Sequence, residues 1–270
     1  MEPNRFKTWL HQPPTSPPQN PPLGTWLMTG APSTAEAMGF CGFDFLVVDM
    51  EHVPIEVADA IGILRAIAGT PAEPLVRLSW NDQVLVKRML DAGARSLMFP
   101  FIQTVEEAKL AVSYTRYPPH GVRGMAGIHR GSRYGRVPDY FKTADEQIAV
   151  ILQLETPEAI ERAPEIAAVE GVDALFLGPG DLSAAMGLIG QIGHPDVQAK
   201  IARAAQLAHA AGKTIGIVGP NPEMVQRFIG YGYDWVAIAS DMAMMTNRAV
   251  EWVGAMRGNA PAVAAPTAAY

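Results

Sequence analysis

The chain has 270 residues, 49% hydrophobic and 18% charged, which gives enough apolar material for a large core at near the length of one α/β barrel. Lysine plus arginine number 21 against 27 aspartate plus glutamate, a formal charge of −6 with no basic block or stripe, and this argues against a nucleic-acid binder. The single cysteine, Cys41, excludes an internal disulfide framework and fits a reducing cytoplasm, and no apolar stretch nears the roughly 20 residues that cross a bilayer. The opening Met1-Glu-Pro-Asn-Arg5 lacks the apolar centre of a secretory signal, so a cytoplasmic protein without membrane contact is expected.

In chain order, the polar segment Gln12-Pro-Pro-Thr-Ser-Pro-Pro-Gln-Asn-Pro-Pro22 comes first, and residues 1–22 are assigned to a Pro-rich arm outside the core. Short apolar runs rich in branched residues follow at 25–29, 43–48, 75–78, 96–99, 149–154, 174–177, 214–218 and 235–239. Helical spacing follows most of them, at 55–68, 82–92, 105–114, 157–169, 197–211, 223–231 and 242–256. Stop glycines stand at Gly69, Gly93, Gly171, Gly212 and Gly232. About eight strand–helix units predict an α/β chain, a (β/α)8 TIM barrel over 23–257, rather than an open sheet. The long connection 117–147 carries Arg123, Arg130, Arg133 and Arg136 and is expected to make oligomer contacts, with arginines that could reach a neighbour's active site. The small-residue stretch 258–270 reads as a flexible Ala/Pro tail.

Two carboxylates end apolar runs: Glu155 closes Ala149-Val-Ile-Leu-Gln-Leu-Glu155, and Asp181 follows Ala174-Leu-Phe-Leu-Gly-Pro-Gly180. A charge in such a place must be paired or must hold a cation. Neighbouring strand tops make the pair a candidate site for Mg²⁺ or Mn²⁺, with Gln153 on the same face as Glu155. The alternative is that both simply cap helices. The turn Gly178-Pro-Gly-Asp181 could offer the N–H groups of Gly180 and Asp181 to a small carboxylate, or be a turn and nothing more. His52, in Asp49-Met-Glu-His52, could act as a general base oriented by Asp49, or lie in a polar loop. Arg77 ends its strand among apolar neighbours; it could bind a substrate carboxylate and stabilise an enolate, or form a salt bridge to Asp49 or Glu51.

Five segments together resemble the HpcH/HpaI family of metal-dependent (class II) pyruvate aldolases. They are Val48-Asp-Met-Glu-His-Val-Pro54, Val76-Arg77 with Trp80-Asn-Asp82, Arg116-Tyr-Pro-Pro-His-Gly-Val-Arg-Gly124, Gln153-Leu-Glu155 and Leu177-Gly-Pro-Gly-Asp-Leu-Ser183. The resemblance implies a barrel whose last helix is exchanged between subunits, and a hexamer built as a trimer of dimers. By it, Glu155 and Asp181 bind a divalent ion (Mg²⁺, Mn²⁺ or Co²⁺) and Gln153 lies beside it. Arg77 contacts pyruvate, the Gly180 and Asp181 amides hold its carboxylate, and His52 with Asp49 moves the proton. The implied reaction is reversible cleavage of a 4-hydroxy-2-oxo acid, such as 4-hydroxy-2-oxoheptanedioate or a 2-keto-3-deoxy sugar acid, to pyruvate and an aldehyde through a metal-held enolate. Met50 stands where many members have glycine, as in macrophomate synthase-like relatives, which bears on the acceptor and admits an oxaloacetate decarboxylase or C–C bond-forming reading.

Other classes fare worse. A Schiff-base aldolase needs a lysine inside the barrel, and none of Lys7, Lys87, Lys109, Lys142, Lys200 and Lys213 lies in a predicted strand. A phosphate-binding barrel would show a glycine-rich cradle near Gly219-Pro-Asn221 or Ala239-Ser-Asp241. A non-catalytic scaffold would have no use for Glu155, Asp181, Arg77 and His52 together.

Overall fold

The structure, a computed structural model, describes residues 1–14 and 17–258, so the expected tail lies outside the described residues from 259 onward. Eight apolar runs form β1 (Leu23–Leu27), β2 (Phe45–Asp49), β3 (Glu73–Arg77), β4 (Ser96–Phe99), β5 (Ala149–Leu154), β6 (Ala174–Leu177), β7 (Thr214–Gly219) and β8 (Trp235–Ser240). They close in sequence order into one all-parallel barrel, as the repeated strand–helix pattern predicts. Both strand faces are covered, which is why these runs are apolar without alternation. The barrel therefore gathers every strand's C-terminal end at one mouth.

Around it run α1 (Arg5–Leu10), α2 (Pro32–Gly39), α3 (Val57–Ile67), α4 (Gln83–Asp91), α5 (Val105–Thr115), α6 (Tyr140–Thr143), α7 (Pro157–Glu161), α8 (Ala163–Ala167), α9 (Pro179–Ala185), α10 (Pro195–Ala210), α11 (Pro222–Gly230) and α12 (Asp241–Met256). Local chemistry sets the ends. Thr104 and Glu107 form a reciprocal capping box on α5, and proline occupies the first helical position of α7, α9, α10 and α11. The single helix expected over 157–169 is two, because Pro164 has no N–H to continue the first.

The N-terminal residues correct the assignment of 1–22 to an arm. Helix α1 seals the base of the barrel, with Phe6 and Leu10 buried. Phe6 meets Phe45 and Trp235 edge-on at centroid distances of 5.1 and 5.3 Å. Gly216 lacks the Cβ that would strike the Trp235 ring, so the indole can lie flat across the interior. Asn4 caps α1 and donates to the carbonyls of Arg95 and Gln147, both at 3.1 Å. Asp173 takes His11 Nε2 at 2.6 Å and Lys7 Nζ at 3.3 Å. Burial alone would raise the Asp173 carboxyl, but these cations and the Val150 N–H hold it below its ordinary value. The proline-rich stretch masked this helix in the sequence, because Phe6 and Leu10 are its only core-facing pair.

The long connection does not line the mouth in its own chain. Arg123 is buried between Asp91 (2.9 Å) and the face of Tyr117 (4.5 Å to the centroid), and Arg130 donates to the carbonyls of Ala92 and Leu64. Of α12's 16 residues only Asp241 is buried. Asp241 ties the helix to β1 through the Met28 N–H (2.7 Å) and the Thr29 hydroxyl (2.6 Å). No helix among the described residues is long and apolar enough to cross a membrane.

Two outcomes are expected for the base. Phe6→Ala should cost about 3–5 kcal/mol, read as a lowered unfolding midpoint. Because the Asp173 carboxyl is depressed in the fold, its stabilising contribution is present above the ordinary aspartate range and is lost as pH falls through the folded value. Asp173→Asn should therefore flatten the acid limb of a stability-versus-pH curve while lowering stability at neutral pH.

Candidate active site

The register of the barrel builds the first half of the site. Asp49, the last residue of β2, pairs directly with Arg77, the last residue of β3. The guanidinium is fully buried, donates from Nε (2.9 Å) and Nη2 (2.7 Å) to the two Asp49 oxygens, and sets Nη1 2.9 Å from Glu51 Oε2. Its carbon lies 4.3 Å from the Trp26 ring centroid. The salt bridge foreseen for Arg77 is thus present with both candidate acids, and it orients the cation rather than hiding it at a random angle. The role expected of Asp49 changes accordingly. Its carboxylate serves Arg77 first and meets residue 52 at the backbone, with the N–H groups of Glu51 at 3.0 Å and His52 at 3.5 Å on Oδ1. His52 itself is exposed on the loop after β2.

The second half lies across β5 and β6. Gln153 and Glu155 are both buried, the glutamate only 2% exposed. Neither carboxylate caps a helix. Thr156 caps α7 with its own hydroxyl, and α9 is capped from Gly178, which places Asp181 inside its first turn. The capping alternative therefore falls for both. Gly178 is forced by Glu155: a Cβ there would come within 2.6 Å of Oε1. The first backbone bond of α9 runs from the Leu182 N–H to the Gly178 carbonyl at 3.0 Å, which leaves the amides of Gly180 and Asp181 ahead of it without an intrahelical acceptor.

Electrostatics tie the halves together. Burial pushes the Glu155 carboxyl up to about 8; the amide of Gln153 lowers it, while Asp181 and Glu51 raise it further. Glu51 is raised by burial against the opposing pull of Arg77, and it senses Asp181 as well. The Gln153 Oε1 atom is buried with no hydrogen-bond partner among the described residues. Among those residues no group of three or more histidine, cysteine or acidic side chains forms a ligand set. A buried glutamate whose carboxyl is raised and an orphaned amide oxygen beside it suit a divalent ion that keeps waters and accepts substrate oxygens. Sequence reading passed over Trp26 as a platform and Gly178 as a spacer. The signals were an aromatic in a barrel strand and a glycine one residue after a neighbouring strand's end. Met50, which stands where many family members have glycine, is buried at 5% exposure.

A closed α/β barrel that gathers buried charged side chains at one mouth is the frame of an enzyme. The comparisons carry the identification further: the description HpcH/HpaI aldolase/citrate lyase matches residues 23–248, and the chain belongs to that family. A 2-dehydro-3,6-dideoxy-6-sulfogluconate aldolase of Pseudomonas putida is 52% identical over 250 residues, 93% of this chain and 98% of the relative. A 4-hydroxy-2-oxo-heptane-1,7-dioate aldolase of Shigella flexneri is 42% identical over 244 residues, 90% of this chain and 91% of the relative. The crystal structure of an HpcH/HpaI aldolase/citrate lyase family protein from Burkholderia cenocepacia J2315 superposes with a TM-score of 0.89 at 39% identity, covering 94% of this chain and 99% of that one. These relatives are aldolases by name, enzymes that make and break carbon–carbon bonds.

Gly178→Ala should leave the fold intact but displace Glu155. Divalent-ion binding measured by calorimetry should weaken together with turnover. Arg77→Lys, which keeps the charge but loses the fork that Asp49 and Glu51 grip, should lower kcat/KM by about 10²–10³ without a matching loss of metal affinity.

Proposed function

We propose that this protein is a class II pyruvate aldolase that reversibly cleaves a 4-hydroxy-2-oxo acid, of the 2-keto-3-deoxy sugar acid kind, to pyruvate and an aldehyde. The observation that carries the reading is the buried Glu155 carboxyl beside Asp181, with the Gln153 oxygen left over. Glu155 and Asp181 would hold Mg²⁺, Mn²⁺ or Co²⁺, which when bound polarises the substrate's 2-keto group as a Lewis acid. The Gly180 and Asp181 amides bind the substrate carboxylate at the start of α9, where the helix dipole favours negative charge. Arg77, locked by Asp49 and Glu51, supplies fixed positive charge for the oxygen that becomes negative as the C3–C4 bond breaks. His52 takes the proton of the 4-hydroxyl group and returns one in the synthetic direction. The buried Arg77 needs no reorganisation during the step, which is what makes its charge effective.

The exposed face of α12 supports the exchange of this helix between subunits. Met245, Val250, Trp252, Val253 and Met256 all stand in solvent in the single chain. A second copy covering that face makes a dimer, and the hexamer is three such dimers.

Excess chelator should abolish pyruvate-forming cleavage and added Mg²⁺, Mn²⁺ or Co²⁺ should restore it; unchanged cleavage without metal would sink the reading. Glu155→Ala should lose ion binding and turnover together. Since Glu155 is raised to about 8 in the metal-free fold, it is largely protonated at pH 7 and the ion must displace that proton. Ion affinity should therefore rise with pH until about 8 and then level off, with proton release seen as a dependence of titration heat on the buffer. Trp252→Asp should shift the species seen by light scattering toward the single chain.

A further inference from the structure

A cavity of about 870 Å³ opens on the N-terminal face of the barrel, bounded by Glu73 and Arg95 at the strand starts and by the 130–140 part of the long connection. That face is opposite the mouth that carries Glu155 and Asp181. Four guanidiniums line it, Arg95, Arg130, Arg133 and Arg136, against two carboxylates, Glu2 and Glu73. Both acids are already engaged, Glu73 with Arg5 at 3.6 Å and Glu2 with Arg133 at 2.8 Å. Arg130 donates only to main-chain carbonyls, at 3.0 and 3.4 Å, and Arg95 to the carbonyl of Glu2 at 2.7 Å. Arg136 has no ion pair or side-chain hydrogen bond among the described residues. Three cations thus share one concavity with no carboxylate of their own, in a chain whose net charge is −6.

The backbone is shaped to put them there. Arg133 and Tyr134 hold left-handed φ values of 48° and 55°, followed by Gly135 at 81°. Non-glycine residues keep such angles only where the surroundings fix them. Here Ser132 does so: its hydroxyl accepts the Gly135 N–H at 3.0 Å and its carbonyl accepts those of Arg136 (3.0 Å) and Val137 (3.1 Å). The turn directs Arg133 and Arg136 at the cavity. Glu2 shows what this wall accepts, a carboxylate laid on Arg133 from a largely exposed side chain.

We infer that this cavity is a binding site for a small polyanion, carrying two or more carboxylate or phosphate groups. Arg95, Arg130 and Arg136 hold it, and it displaces Glu2 from Arg133. The volume is that of a metabolite site, and guanidinium is the side chain suited to carboxylate and phosphate alike. The site is separate from Arg77 and from the proposed metal ligands, so its occupant need not be the aldolase substrate.

The test is calorimetric titration of the metal-loaded full chain at low salt, with pyruvate saturating the catalytic mouth. Inorganic phosphate and succinate are the probes, and acetate the single-charge control. Saturable binding of one equivalent per chain is expected, with acetate much weaker, and the preferred probe identifies the anionic group. Arg136→Gln should weaken binding at least about fivefold and Arg136→Glu more, with kcat/KM unchanged in both when no probe is present. Three results would overturn the inference: no saturable binding of either probe, equal affinity in both variants, or binding that vanishes once pyruvate is present. The last would assign the anion to the mouth, and the first would follow if the cavity is closed by another copy of the chain.

Discussion

Four carboxylates, Asp49, Glu51, Glu155 and Asp181, gather around one guanidinium at the mouth of this barrel, and that imbalance governs the site. Arg77 neutralises the pair nearest it through fixed, short bonds. Burial holds the Glu155 proton against the opposing pull of the Gln153 amide and of Arg77. A low-dielectric setting makes the deficit costly for the protein alone and makes a divalent ion strongly welcome. The same imbalance separates the two halves: one fixes a permanent positive charge on Arg77, while the other keeps a buried, raised carboxyl at Glu155.

The interior beneath the mouth is built to keep Arg77 still. An aromatic column rises through the barrel from Phe6 to Trp235 (5.3 Å), from Trp235 to Phe176 (5.2 Å) and from Phe176 to Trp26 (6.0 Å), where the guanidinium rests. Each ring supports the next in a close-packed core. Helix α1 therefore matters to the chemistry although it lies at the far end, since it closes the column from below.

The barrel was legible because parallel strands covered on both faces produce unbroken apolar runs, and eight such runs leave few topologies. Glu155 and Arg77 were legible as buried charges for the same reason, since each closes a run that excludes charge, while Asp181 falls inside the first turn of α9. What escaped was set by contacts between distant segments. The Arg77 salt bridge to Asp49 or Glu51 was one of two readings open in the sequence, and strand register settles it by setting Asp49 against Arg77. Helix α1 was hidden because six residues carry little periodicity, and its burial depends on rings that arrive from β2 and β8. Pro164 was visible in the sequence, yet its break of α7 from α8 was overlooked in favour of a continuous apolar stripe.

The seating of α1 also orders events along the chain. Phe6 lies ahead of β1, but Trp235, against which it packs, belongs to β8. The seat of the helix is therefore a contact of long sequence separation, complete only when the ring of strands is closed.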